Sequence, residues 1–179
     1  MIILGVDPGT LVTGYGVIEI NGGRLRMIDV GVIKNTSGEK MPIRLKKIHG
    51  GLCRIIDRYH PDEMAIETAF YSKNAQSALK IGQARGVLIL AGVNAEVPVT
   101  EYSPREIKKS VVGNGAASKE QVRFMMKTLL RLSTVPKFFD ATDALAAAVC
   151  HSHKIERPRS AFRDWKSFAE AHPERIVRR

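Results

Sequence analysis

The sequence predicts an α/β protein whose mixed sheet is flanked by helices. Three observations lead there. Three β-rich runs follow one another at the N-terminus with tight turns between them. Helical apolar spacing then alternates with short apolar runs, and the later segments are helical only. With 179 residues, 44% hydrophobic and 26% charged, the chain suits one domain with a sizeable core and not a disordered polymer.

Ile2 to Val6 is a short apolar run closed by Asp7-Pro8-Gly9, a strand followed by a turn. Thr13 to Ile20 resumes the β pattern with Tyr15, Val17 and Glu19 on one face. Asn21-Gly22-Gly23 tolerates positive φ, and Arg24 to Val32 completes an antiparallel meander of three strands. From Pro42, Leu45, Ile48, Leu52, Ile55, Ile56 and Tyr59 recur at spacings of three and four, an amphipathic helix ending near His60-Pro61 that Gly50-Gly51 should weaken. Glu63 to Glu67 reads as a short buried strand with an acid at its carboxyl end. Asn74 to Asn94 is a helix rich in alanine and glycine, and Val97 to Tyr102 is a further strand. Ser103-Pro104-Arg105-Glu106 supplies an N-cap, a proline at N1 and a Glu at N3; Ser118-Lys119-Glu120-Gln121 is a second capping box, opening a helix to about Leu132. After Pro136 the last core helix runs from about Asp140 to Ile155. The expectation is five strands, three antiparallel and then parallel ones, in a domain over residues 1–155. Residues 156–179 form a basic tail in which Phe162, Trp165 and Phe168, three apart, suggest a short amphipathic helix.

Lys and Arg exceed Asp and Glu by 28 to 18, a net charge of +10, which points to a polyanionic partner, nucleic acid first. The excess is uneven: residues 101–139 hold 8 basic and 3 acidic side chains, residues 151–179 hold 8 and 4, and only Asp140 and Asp143 lie between. Cys53 and Cys150 are far apart and outside any Cys-x-x-Cys pattern, so neither a disulfide framework nor a four-cysteine zinc site is available, and a reducing cytoplasm is expected. No apolar run nears the roughly 18 residues of a membrane span, and the N-terminus lacks the basic start of a signal peptide.

Four carboxylates stand out by position. Asp7 ends the first strand and Glu67 the fourth, while Asp140 and Asp143, three apart, share a face of the last core helix. If the strand ends are neighbours and the helix packs across them, four oxygen ligands converge. Hard divalent cations such as Mg2+ favour such a set, and a pair of them can hold the attacking and leaving oxygens of a phosphodiester, so hydrolysis of a nucleic-acid backbone is the expected chemistry. Each acid also has an ordinary structural explanation. Asp7 before Pro8-Gly9 is a good turn former, Asp140 could be an N-cap with Asp143 in the first turn, and Glu67 could be a surface strand end. Other motifs fail. Gly9 and Gly14 have Walker A spacing, but Tyr15-Gly16 stands where Lys and Ser or Thr are required. Gly14-Tyr15-Gly16 meets Glu19 where a dinucleotide fingerprint needs glycine, and no Gly-x-Ser-x-Gly is present. Cys150-His151-x-His153 offers a partial zinc pattern without a fourth ligand.

Gly5-Val6-Asp7-Pro8-Gly9-Thr10 with Thr13-Gly14-Tyr15-Gly16, Ala65-Ile66-Glu67 with Lys73-Asn74, and Ser77-Ala78-Leu79-Lys80 with Gly82-Gln83-Ala84-Arg85-Gly86 resemble the RuvC family of bacterial Holliday junction resolvases. So do Val111-Val112-Gly113-x-Gly115 and Asp140-Ala141-x-Asp143-Ala144-Leu145-Ala146, in order and at family spacing from about residue 2 to 153. The resemblance implies an RNase H-like fold, a homodimer, and Mg2+-dependent cleavage of opposed strands at a four-way DNA junction, with two ions per site and Mn2+ able to substitute. Asp7, Glu67, Asp140 and Asp143 fall on the family's metal-binding carboxylates. Phe70 falls on an aromatic that stacks on bases near the crossover, Lys108 and Lys119 on lysines needed for DNA binding or cleavage, and Arg85 on a further matching position where the side chain could instead brace its helix. The implied partners are the branch-migration proteins RuvA and RuvB. The tail from Glu156 does not align with the family. Two rival classes stay open in the sequence: an ATPase of the actin and sugar-kinase superfamily, because Asp7-Pro8-Gly9-Thr10 resembles its phosphate turn although the chain is short for two such domains, and a silent DNA-binding relative, although all four acids are present.

Overall fold

The computed structural model describes residues 1–68 and 75–155. Strands β1 (Ile2–Asp7), β2 (Val12–Asn21) and β3 (Arg24–Lys34) open the chain. Helix α1 (Met41–Tyr59), strand β4 (Glu63–Glu67), helix α2 (Ala75–Asn94), strand β5 (Val99–Tyr102) and helices α3 (Pro104–Val112), α4 (Lys119–Leu129) and α5 (Phe139–Ile155) follow. The five strands lie in the order β3-β2-β1-β4-β5. β1 pairs antiparallel with β2 and parallel with β4, and β4 is parallel to β5, so the expected mixed sheet is present with β1 at the change of direction.

Local chemistry accounts for several element ends. Asn21 pairs with Arg24, leaving Gly22 (φ 56°) and Gly23 (φ 74°) as a two-residue turn in which both residues need positive φ. Both capping boxes form: Ser103 Oγ accepts the Glu106 amide while Glu106 accepts the Ser103 amide, and Ser118 and Gln121 repeat the exchange. Helix α1 stops at His60, whose φ of 44° returns its amide to the Ile56 carbonyl.

Some details of these elements were not in the sequence reading. α1 runs unbroken through Gly50-Gly51, and Gly51 is a contact point: a Cβ there would stand 2.8 Å from Ile33 Cδ1. β5 begins at Val99 and not Val97, since Glu96 (φ 58°) turns the chain and the Val97 amide still closes α2 on the Gly92 carbonyl. α4 ends at Leu129, short of Leu132, because Arg131 (φ 50°) reverses the backbone and the Leu132 amide folds back on the Lys127 carbonyl. The tail for which a short helix was expected, residues 156–179, lies outside the described residues. No helix among the described residues is long and apolar enough to cross a membrane.

The alternation of side chains along each strand divides the core in two. Leu4, Val6, Val17, Met64 and Ile66 face α1 and α2. Ile3, Ile18 and Ala65 face α5, against which α3 and α4 pack from outside. From Ala141 to Ser152 every residue of α5 except Asp143 is buried, which explains its alanine-rich composition. The helix touches the sheet backbone to backbone at Gly5 and Gly14, and through the Leu145 side chain at Gly16. A Cβ on Gly5 would stand 2.0 Å from the Ala144 carbonyl oxygen, one on Gly14 2.0 Å from the Asp140 carbonyl oxygen, and one on Gly16 2.7 Å from Leu145 Cδ2. Gly14→Ala is therefore expected to cost about 1–3 kcal/mol in urea denaturation. Gly38→Ala, with nothing within 4 Å, should stay within about 0.5 kcal/mol. Equal stability of the two variants would show that α5 is free to shift.

Candidate active site

Sheet pairing brings two acids together. Val6 of β1 is the partner of Ile66 in parallel β4, so Asp7 and Glu67, the next residue in each strand, stand side by side at adjacent strand ends. Asp7 is also the partner of Gly14 across β1 and β2, and Gly14 is the residue that abuts the Asp140 carbonyl. The bare glycine thus sets the first turn of α5 over Asp7, and Asp143 follows three residues later on the same face. Asp7, Glu67 and Asp143 line a cleft of about 250 Å³ with Lys108 and Lys119, walled by Ile107 and Val122. Asp140 is not part of that lining, but its charge acts on both Asp7 and Lys119.

The ordinary explanations of these acids account for little. The turn after β1 is held by Thr13, whose Oγ1 donates to the Gly9 carbonyl at 2.6 Å. α5 starts at Phe139, so Asp140 lies inside the first turn and is not the N-cap. Glu67 is half-buried.

The electrostatics mark an excess of negative charge. Burial, then repulsion from Glu67, Asp143 and Asp140, pushes the Asp7 carboxyl well above the usual carboxylate range, against a smaller opposing pull from Lys119. Burial and Asp143 push Glu67 up to about 7, with Lys119 and Lys108 working the other way. Burial alone would depress the Lys119 ammonium. Its hydrogen bond to Asp143 Oδ2 at 2.9 Å and the charges of Asp143, Asp7 and Asp140 outweigh that and raise it. Lys119 is the first residue of α4, where the helix dipole opposes a cation, so the carboxylates, and not the helix, hold it there.

The donor set at the cleft is all carboxylate oxygen, the chemistry that hard divalent cations select, and its mutual repulsion is what such cations relieve. Among the described residues no three His, Cys, Asp or Glu side chains are already drawn together as a metal-holding group. Lys119 supplies the neutralising charge in this arrangement, on Asp143.

Of the expected DNA contacts, Lys108 on α3 and Lys119 reach the cleft. Arg85 sits on α2, its Nε 2.9 Å from Glu101 of β5, and does not line the cleft. Phe70 lies outside the described residues. The partial zinc pattern is dispersed over separate partners. Cys150 Sγ is directed at the Glu106 carbonyl, His153 Nδ1 meets Ser110 Oγ, and His151 bridges Tyr102 Oη and Glu63 Oε2 at 2.7 Å each. That Tyr102–His151–Glu63 bridge, with His151 3% exposed, escaped the sequence reading, as did the Lys119–Asp143 pair. The local signal for the bridge was a histidine directly after the apolar run from Ala144 to Cys150.

A five-stranded mixed sheet with an acidic cleft where parallel strands end beneath a buried helix defines an RNase H-like nuclease domain. The family model of the crossover junction endodeoxyribonuclease RuvC matches residues 3–151, and the chain belongs to that family. Among curated relatives, RuvC of Desulforamulus reducens is 51% identical over 152 residues, covering 85% of this chain and 93% of the relative. RuvC of Cytophaga hutchinsonii is 46% identical over 175 residues, covering 98% and 88%. The structure of Thermus thermophilus RuvC in complex with Holliday junction substrate superposes with a TM-score of 0.82 at 32% identity, covering 87% of this chain and 94% of that one. The yeast mitochondrial Holliday junction resolvase Ydc2, at a TM-score of 0.62 and 14% identity, shares the fold. Membership of this family sets the actin-like ATPase reading aside.

The raised carboxyls have a consequence for stability. A carboxyl that holds its proton more tightly when folded makes the folded state bind more protons than the unfolded one, so stability falls as pH rises, for Glu67 from about 4.5 to about 7. With chelator present, Glu67→Gln is expected to raise the unfolding free energy at about pH 8 by on the order of 1 kcal/mol, a gain that vanishes near pH 4. A variant no more stable than wild type at the higher pH would mean that the cleft stores no such repulsion.

Proposed function

We propose that this chain is a structure-selective endonuclease that resolves four-way DNA junctions by symmetric paired nicking, in homologous recombination and DNA repair. The observation behind this reading is the cleft itself: Asp7, Glu67 and Asp143, with the charge of Asp140 acting on Asp7, flanked by Lys108 and Lys119, in a chain of net charge +10. Family membership and the likeness to a RuvC bound to its junction support the substrate.

Asp7, Glu67, Asp140 and Asp143 are the proposed metal ligands. Divalent cations, Mg2+ with Mn2+ as substitute and two per site, would supply an activated water and Lewis-acid stabilisation of the leaving oxygen, giving 5′-phosphate and 3′-hydroxyl ends. The chain's own residues do the rest. Lys108 and Lys119 place the scissile phosphate, because ammonium groups tolerate the spread of phosphate positions along a flexible backbone. Lys119 exchanges Asp143 for phosphate as the carboxylates take up their ligands. Ile107 and Val122 close one side of the cleft and limit water there, which strengthens every charge interaction within it. Phe70, three residues after Glu67, is proposed to stack on a base at the crossover, and Arg85, oriented by Glu101, to add a DNA contact. Cutting two opposed strands needs two such clefts, so a homodimer is proposed, with RuvA and RuvB as branch-migration partners and the cytoplasm as the place of action.

Purified protein with Mg2+ should cut a mobile four-way junction at symmetric positions. Asp7→Asn should retain junction affinity while cleavage falls by at least about 10²-fold. A second measurement separates phosphate contact from chemistry: Lys108→Ala should weaken junction binding and reduce the slope of log affinity against log salt by about one. Equal cutting of plain duplex would overturn junction selectivity, and an active Asp7→Asn would overturn the site.

A further inference from the structure

A groove of about 1080 Å³ lies between β3 and α1, on the side of the sheet away from α5 and the cleft. Its floor is apolar: Ile33 and Ile55 are half-buried, and Ile43 leaves 49% of its surface to solvent. Its rim is cationic, with Lys34, Lys46, Lys47, Arg54 and Arg58. The acid in the lining is Asp29, and its capacity is already used. Its Oδ2 accepts from Tyr59 Oη at 2.7 Å and Tyr15 Oη at 3.1 Å, and its Oδ1 accepts the Val30 amide at 2.8 Å. Lys47 is paired with Glu39, and Lys34 lies 4.2 Å over the Phe138 ring. Among the described residues no acidic side chain pairs with Lys46, Arg54 or Arg58. β3 is the end strand of the sheet, so its outer edge has no strand partner among the described residues.

An apolar floor within a cationic rim selects its occupant. Nucleic-acid phosphates need cations but gain nothing from isoleucines, and phosphate contacts are served by open surface as well as by a groove. A peptide that alternates carboxylates with apolar side chains uses both features, the apolar groups covering Ile43 and the carboxylates meeting Lys46, Arg54 and Arg58. Residues 156–179, with 7 basic and 4 acidic side chains, have the wrong charge for it. We infer that the groove between β3 and α1 docks an acidic segment of a partner protein, anchored by apolar side chains.

The test uses the whole chain and two fluorescein-labelled synthetic peptides of equal length and charge, followed by fluorescence anisotropy. One alternates Asp or Glu with Leu or Phe, and the other replaces Leu and Phe by Ser. The first is expected to bind at least about fivefold more tightly than the second, and the Lys46→Glu/Arg54→Glu double variant to weaken it by at least about tenfold. Ile43→Ser should remove most of the preference for the apolar peptide, while thermal midpoint and junction cleavage stay at wild-type values in both variants. Equal binding of the two peptides, or undiminished binding by the double variant, would overturn the proposal. So would junction affinity that falls in the double variant without any apolar preference, which would make this a nucleic-acid surface.

Discussion

Helix α5 rests on the sheet at glycines 5, 14 and 16, backbone against backbone at the first two and with the Leu145 side chain against the third, and the geometry of the acidic cleft follows from that contact. A helix normally packs at a distance set by the side chains of both partners. Here the strands contribute hydrogen atoms at the contact, and the alanines of α5 let the rest of the helix sink until everything from Ala141 to Ser152 but Asp143 is buried. The carboxylates are placed by the same contact. Asp7 pairs with Gly14 across the hairpin, Gly14 meets Asp140, and Asp143 is one turn further along a helix that cannot rise. Close backbone approach therefore converts two acids on a helix and two on strand ends into one acidic locus.

That locus opposes the average charge of the molecule. The chain carries a net charge of +10, yet Asp7 and Glu67 hold their protons more tightly than isolated carboxyls do, because burial and neighbouring acids outweigh Lys108 and Lys119. The two lysines that line the cleft are too few to neutralise it. Long-range attraction and short-range repulsion thus act on different length scales: screening leaves the surface cations effective over about 8–10 Å, while the half-buried acids interact partly through protein. A polyanion drawn to this surface meets a centre that admits phosphate only once its charge is balanced.

The two faces of the sheet divide the work. On one face α5, α3 and α4 assemble the cleft, with capping boxes at Ser103 and Ser118 fixing where the helices that present Lys108 and Lys119 begin. On the other, α1 and α2 cover the second half of the core and leave a basic, isoleucine-floored groove beside β3. The Tyr102–His151–Glu63 bridge ties the end of β5 and the start of β4 to the far end of α5, so the helix is held to the sheet by hydrogen bonds at one end and by glycine contacts at the other.

Signals confined to a few neighbouring residues were legible in the amino-acid order. The Gly22-Gly23 turn, the two capping boxes, the acids at the ends of apolar runs and the pairing of Asp140 with Asp143 on one helical face depend on local φ and ψ, hydrogen-bond reach and helical periodicity. What joins distant segments was not legible. Gly51 reads as a helix weakness until Ile33 occupies the space beside it, Lys119 reads only as a match to a DNA-binding lysine until Asp143 meets it, and His151 reads as part of a metal pattern until Tyr102 and Glu63 take both its nitrogens. By itself the sequence determined which carboxylates were available and which element each ends or begins. Only the tertiary structure decided that Asp7, Glu67 and Asp143 line one cleft within reach of the Asp140 charge, because strand order, parallel register and the depth to which α5 sinks come from contacts between residues far apart in the chain.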